Sequence, residues 1–73
     1  MKKTYKVRVI EGQVIDGHKS EIISLETYTS AESKKQAVNN VRFREGIRTG
    51  KRSIGGFGDY SYTRIEADEY LRN

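Results

Sequence analysis

The 73-residue sequence contains no cysteine, no proline and no tryptophan. Without cysteine it has neither disulfides nor thiolate chemistry, so a domain near the lower size limit for a stable core lacks a covalent staple. This composition fits a reducing, cytoplasmic setting, where we expect the protein to reside. Apolar residues make up 34% of the chain and charged residues 33%, so we expect a thin core that a homodimer would enlarge.

Long apolar runs are also lacking. The N-terminal stretch MKKTYKVRVIEGQ begins like a signal peptide, but Lys6 and Arg8 interrupt it, and no run approaches the ~20 apolar residues that cross a bilayer. We therefore expect no membrane partner. No proline-rich stretch, repeat or linker divides the chain, so residues 1–73 are predicted to form a single small domain.

Residue patterns that support catalysis or metal binding are scarce. His18 is the only histidine, and with Asp16 it would give two ligands without a third. The sequence offers no Ser-His-Asp or Cys-His arrangement, and the adjacent Asp68 and Glu69 do not make an acid/base pair. We expect a non-enzymatic protein with no cofactor and no metal.

Three segments alternate apolar and polar residues with the period of a half-buried strand. They are residues 3–11, 20–29 and 59–67. The last residues, 68–73, are expected to form a final helical turn or a frayed tail.

The connection between the first two strands contains Asp16-Gly17, a pair that favours a two-residue hairpin turn. Such a turn places Val9 opposite Ser24 and puts the apolar stripes of the two strands on opposite faces. Pairing Val9 with Leu25 puts both stripes on one face. We therefore predict a β-bulge near Gly12, or a longer irregular connection, rather than an ideal hairpin.

A helix is predicted after the second strand. Ser33 and Gln36 match a capping box, as do residues 29–32, so the start is defined to about one turn, and Gly46 is expected to end the helix. Its apolar face comprises Ala37, Val38 and Val41. Phe43 lies about 240° around the helix from Ala37, so either the helix ends before Phe43 or Phe43 faces solvent. We favour an end before it, with Phe43 turned inward.

The order strand, strand, helix, strand predicts an α+β domain. In this ββαβ arrangement, a three-stranded antiparallel or mixed sheet carries one helix packed on one face.

The stretch between the helix and the last strand is basic and glycine-rich. Residues 34–52 contain seven cations and one acid, and residues 42–58 contain five of the seven glycines. Glycines let backbone N–H groups approach a phosphate, and cations supply the charge. We predict a flexible basic loop at about 45–58 that binds nucleic acid, either RNA or DNA. The candidate residues are the cations Arg42, Arg44, Arg48, Lys51 and Arg52 and the aromatic residues Phe43, Tyr60 and Tyr62.

Two motif resemblances in this region fail on spacing. Residues 46–53 resemble a phosphate-binding P-loop, but three residues separate the glycines where the P-loop has four, and an arginine follows the lysine. Residues 56–58 with Tyr60 and Tyr62 resemble part of the RNP1 strand of RNA-recognition modules, but Asp59 stands where that pattern has an aromatic residue. We assign no family.

A second hypothesis is a small protein-interaction module or inhibitor. The thin core and the open edges of a small sheet suggest docking on a larger protein through an edge strand or through Phe43 and Phe57. The composition is typical of small phage or mobile-element proteins, although no motif supports that impression. A homodimer is compatible with both hypotheses.

Overall fold

The chain forms one antiparallel sheet with a helix on one face. The computed structural model describes residues 1–71, which form β1 (Lys3–Ile15), β2 (His18–Ala31), α1 (Lys34–Glu45), β3 (Gly50–Ser53) and β4 (Tyr60–Glu69). The sheet order is β2-β1-β4-β3, with every neighbouring pair antiparallel. The predicted α+β class and its helix-on-sheet arrangement are confirmed, and the sheet gains a fourth strand, β3. No helix in the described range is long and apolar enough to span a membrane.

The hairpin of β1 and β2 combines a tight turn with a bulge. Asp16 and Gly17 both have positive φ, 52° and 75°, as a type I′ turn requires. Near the turn Ile10 pairs with Ile23, but further along Val9 pairs with Leu25, so Ser24 is the extra residue. The turn determines the register of the residues next to it, and the apolar stripe determines the register further along. The extra residue in β2 allows both registers within one hairpin. A bulge is therefore present, as one of the two predicted alternatives has it, but it lies on β2 at Ser24, so its predicted place near Gly12 is wrong. The other alternative, a longer irregular connection, is also wrong, because Ile15 pairs with His18.

The strands extend beyond their predicted ends. β1 continues to Ile15 and β4 to Glu69, because the long hairpin and β4 pair with each other over most of their length. Residues 68–69 are therefore strand, and the predicted final helical turn is wrong there. The backbone N–H of Tyr70 still donates to the carbonyl of Thr4 at 2.8 Å. The rest of the predicted tail, residues 72–73, lies outside the described residues.

The core lies between α1 and one half of the sheet. Its fully or almost fully buried side chains are Tyr5, Val7, Val9, Ala31, Ala37 and Val41. A 12-residue helix is about 18 Å long, whereas the molecule extends 47 Å along its longest axis. The helix therefore covers less than half of the long hairpin. We call the side of the sheet that carries α1 the helix face and the other side the open face.

Caps define both ends of α1. The Ser33 hydroxyl accepts from the N–H of Gln36 at 3.1 Å, as predicted, and the Gln36 side chain accepts from the N–H of Glu32 at 2.6 Å. Gly46, with φ of 66°, ends the helix in the left-handed conformation. Because this cap lies beyond Phe43, the helix runs through Phe43 and leaves it 78% exposed. The expectation that the helix ends before Phe43 is wrong.

Candidate nucleic-acid interface

The predicted basic loop contains the edge strand β3. Residues 46–58, which we call the basic edge, include three cations and no acid. Gly50 pairs with Thr63 and Ser53 with Tyr60, and the hairpin closes where the N–H of Ile54 donates to the carbonyl of Asp59 at 3.0 Å. The segment is therefore partly ordered by backbone pairing, while its flexibility stays a prediction.

Strand alternation divides the cations of β3 between the two faces of the sheet. Lys51 pairs with Tyr62 and therefore lies on the open face. Arg52 pairs with Ser61 and lies on the helix face, where its guanidinium is 3.5 Å from the Thr63 hydroxyl. The two basic side chains thus project from one edge in opposite directions.

Three predicted site residues lie on the last two turns of α1. Arg44 forms an ion pair with Glu45 at 3.4 Å and donates to the Thr27 hydroxyl at 3.2 Å. The Arg42 guanidinium lies 5.5 Å from the centre of the exposed Phe43 ring. These residues belong to the helix side of the molecule, so the structure separates Arg42, Phe43 and Arg44 from Tyr60 and Tyr62.

A shallow depression of about 430 Å³ lies at the C-terminal end of α1. Arg48 and Arg52 line it, but so do Glu11 and Glu45. Two cations and two acids give the depression no net positive charge. Arg48 and Arg52 of the basic edge therefore line a depression whose charge is balanced, while Lys51 projects from the opposite face of the sheet.

Three predicted residues meet on the open face. The Tyr60 and Tyr62 rings have centres 6.1 Å apart and planes inclined by 44°. The Lys51 ammonium lies 4.5 Å from the centre of the Tyr60 ring, within range of a cation–π interaction. Lys51, Tyr60 and Tyr62 therefore form one surface, which we call the tyrosine patch.

Most other charges of the open face are paired. One group joins Lys6 and Arg8 to Glu26 at 3.2 and 3.4 Å, and joins Arg8 to Asp68 at 3.3 Å. The second group comprises Lys19, Glu21, Arg64 and Glu66. By contrast, Arg48, Lys51 and Arg52 form no ion pair with any residue of the range 1–71. Their charges are available to a ligand.

The second group is linked to the tyrosine patch through Glu21. The Tyr62 hydroxyl donates to the Glu21 carboxylate, and Arg64 approaches the same carboxylate at 3.3 Å. The Tyr62 hydrogen bond, followed by Arg64, lowers the pKa of Glu21. Partial burial, followed by the bond to Glu21, raises the pKa of Tyr62. The hydrogen bonds to Glu66 and Glu21 raise the pKa of Arg64.

Sequence reasoning missed several residues that surround the tyrosine patch. Gly12 lies opposite Tyr62 on β1 and Glu21 lies opposite Gly12 on β2, so the three form a row across the sheet. Alternation assigns residues to faces, but the register between β1 and β4 comes from a distant pairing that no local pattern encodes. The only available signal was Gly12 itself, because a glycine inside a strand often marks close approach of another group.

His18 stands at the start of β2, next to the turn. Residues 1–71 contain no group of three or more histidine, aspartate or glutamate side chains placed to hold a metal ion. The geometry of the described residues therefore gives no basis for proposing a metal site.

Comparison with known proteins adds no relative from which a function can be transferred. The sequence matches no protein-family model, no curated protein and no solved structure. A functional proposal for this chain therefore depends on the charges and geometry described above.

Proposed function

We propose that the protein binds nucleic acid without sequence specificity, with the phosphate backbone running along the basic edge. The observation that supports this proposal is the contrast in charge pairing. Arg48, Lys51 and Arg52 lie within 13 residues that contain no acid, and none is ion-paired in residues 1–71, whereas the cations of the open-face groups are paired.

The edge position suits contact with a polyanion. Lys51 and Arg52 project from opposite faces of β3, so a backbone passing along the edge is within reach of both. Cations already paired to carboxylates gain less from a phosphate, because an existing partner must be displaced. Contacts of this kind position the ligand without reading its bases.

Salt dependence gives the first test. If the three cations neutralise about three phosphates, log K should fall with log salt at a slope of about −2 on single strands and about −2.7 on duplex. Fluorescence anisotropy with labelled oligonucleotides between about 50 and 200 mM salt measures this slope. Absence of binding at the lowest salt would overturn the proposal.

A matched pair of triple variants separates the basic edge from overall charge. Replacing Arg48, Lys51 and Arg52 by alanine should weaken binding about tenfold or more at low salt. The control replaces Lys2, Lys34 and Lys35, which are also exposed and without ion pairs in the described range. It removes the same charge and should change affinity less than threefold. Equal losses in both variants would show a diffuse charge effect and contradict the proposal.

The second candidate function is docking on a larger protein. The outer edge of β2 pairs with no strand in residues 1–71 and carries the exposed Ile22 and Ile23, although near its end the Ser30 carbonyl accepts from the Asn40 side chain at 3.2 Å. Phe57 is 94% exposed in the loop after β3. Capture of one protein from nuclease-treated lysate, together with loss of capture on Ile22→Lys, would favour this candidate. Light scattering distinguishes it from a homodimer.

A further inference from the structure

We propose that the tyrosine patch is a base-stacking platform that makes the protein select single-stranded over double-stranded nucleic acid. This inference rests on the proposed function, since Lys51 belongs both to the basic edge and to the tyrosine patch. The inference specifies that the nucleic acid is single-stranded and names the residues that select the single strand.

Tyr62 is held in place from three strands. It starts on β4, passes over Gly12 on β1, and donates its hydroxyl to Glu21 on β2. A Cβ atom on Gly12 would overlap the end of the Tyr62 ring, so only glycine permits this position. The side chain therefore lies across the sheet, fixed by the strand beneath it and by a carboxylate at its far end. A fixed aromatic ring loses little conformational entropy when a base stacks on it.

Tyr60 extends the same surface toward the basic edge. It lies two residues before Tyr62 on the same face of β4, and both rings are partly exposed. Tyr60 pairs with Ser53 of β3, and the Lys51 ammonium lies 4.5 Å from its ring centre. The phosphate-binding cation and the first stacking surface are therefore adjacent.

A second ammonium borders the far side of the patch. Lys19 of β2 lies 5.8 Å from the centre of the Tyr62 ring, and its charge is shared with Glu21 at 3.6 Å. Lys51 has no carboxylate partner among residues 1–71. The patch thus has a free cation at the edge of the sheet and a compensated one toward β2, which directs a phosphate backbone to the β3 side.

Single-strand selection follows from the geometry of stacking. The bases of a duplex are stacked on each other and cannot lie on a protein ring, whereas bases of a single strand are free to do so. A duplex would contact the basic edge alone. Stacking on tyrosine tolerates any base, in agreement with binding that does not depend on sequence.

The experiment compares two ligands across four proteins. The ligands are a labelled oligothymidylate and a mixed-sequence duplex of the same length, measured by anisotropy at low salt. The proteins are the wild type, Tyr60→Ala, Tyr62→Ala and the control Tyr28→Ala, which removes a tyrosine from the same face far from Lys51. Each patch variant should bind the single strand about tenfold more weakly. Duplex affinity and the control should change less than twofold.

Two further variants keep the test independent of folding. Tyr62→Phe retains the ring and should keep most single-strand affinity, and Gly12→Ala retains every side chain but displaces the ring and should lose it. Circular dichroism checks that each variant is folded. Because the chain has no tryptophan, tyrosine emission can be followed, and quenching by unlabelled oligothymidylate should be smaller in Tyr60→Ala and Tyr62→Ala than in Tyr28→Ala if bases stack on the patch.

The outcomes separate this inference from the proposed function. If the folded patch variants bind the single strand like the wild type while the basic-edge variant fails, the inference is overturned and the proposed function stands. If the wild type binds neither ligand at low salt, both are overturned. Equal wild-type affinity for the two ligands after correction for charge density also overturns the inference alone.

Discussion

The two edges of the sheet differ in length, charge and pairing. β2 provides an edge of 14 residues and carries Glu21 and Glu26, whereas β3 provides four residues and carries Lys51 and Arg52. The acids of β2 pair with cations on β1 and β4, as in the ion pairs of Glu26 with Lys6 and Arg8. The cations of β3 have no carboxylate opposite them, because β4 presents tyrosine, serine and threonine there.

This difference indicates where a ligand can gain most. An edge whose charges are already neutralised by its neighbours offers little to a charged partner, and exposed ion pairs add little stability of their own. The bulge at Ser24 and the charged side chains also protect the long β2 edge from pairing with another chain. The cations of the short β3 edge form no ion pair with residues 1–71, so a charged partner displaces no existing partner there.

The largest expected effect on the free energy of unfolding comes from a substitution in the core, which stabilises the strands that carry both edges. Val7 is fully buried on β1, opposite Thr27 of β2 and Ala67 of β4. Val7→Ala should lower the free energy of unfolding by about 2 kcal/mol, by loss of buried methyl groups and formation of a cavity. Urea denaturation followed by circular dichroism measures the change.

The control for Val7 lies on the same strand beyond the helix. Ile15 is 43% exposed, so Ile15→Ala should cost less than about 1 kcal/mol although it removes more carbon atoms. An equal loss in both variants would mean that the helix-covered half does not dominate stability. The two edges would then not depend on a common core for their stability.

Deleting Ser24 should remove the bulge that helps to protect the β2 edge from pairing with another chain. The deletion joins the two registers while Leu25 stays opposite Val9 and Ile23 opposite Ile10, so every side chain keeps its face. The fold should persist with a straighter β2 edge, and self-association should increase. Light scattering over a concentration series measures this increase. Ser24→Ala keeps the bulge and should behave as wild type, and association in that variant would contradict the role of the bulge.

The sequence predicted much of the fold because the relevant signals are local. Alternation identified β1, β2 and β4, Asp16-Gly17 indicated a tight turn, and the mismatch of apolar stripes predicted either a bulge or a longer irregular connection. β3 was missed because its four residues, the first of which is a glycine, are all exposed, so it shows no alternation of burial. Only its pairing with β4 makes it a strand.

The candidate site was less predictable for a related reason. The cations were identifiable from composition, but their separation into two faces depends on the existence of β3 and on its register. The row of Gly12, Glu21 and Tyr62 connects three strands that are distant in sequence. Such a row is fixed by sheet order, which single-sequence patterns do not contain.

A smaller effect is expected where the tips of the two hairpins meet. The Asp59 carboxylate accepts from the backbone N–H of Asp16 at 3.1 Å, joining the β3–β4 loop to the β1–β2 turn. Asp59→Ala should cost about 1 kcal/mol or less, since the bond is exposed. Asp59→Asn keeps an acceptor and should cost less than the alanine variant. Urea unfolding tests both, and identical losses would show that this hydrogen bond does not join the tips.

The smallest effect concerns Glu21, the acid that connects the β2 edge to the tyrosine patch. Hydrogen bonds from Tyr62 and then from Arg64 lower the pKa of Glu21 in the folded state. The resulting stabilisation is therefore present above the unfolded pKa of about 4.3 and is lost as pH falls through the folded pKa. Glu21→Gln should be slightly less stable than wild type at pH 7, and the difference should shrink on acidification.

Thermal unfolding at pH 7 and pH 3 measures the difference between wild type and Glu21→Gln. The control Glu32→Gln removes one carboxylate that forms no ion pair within the described residues, and so accounts for the change in net charge. The effect should be small because the partners Lys19 and Arg64 have side chains that are 62% and 42% exposed, so solvent screens their pairs with Glu21. A difference that grows at low pH would mean that the ionised carboxylate does not hold Tyr62. The β2 edge would then play no part in positioning the tyrosine patch.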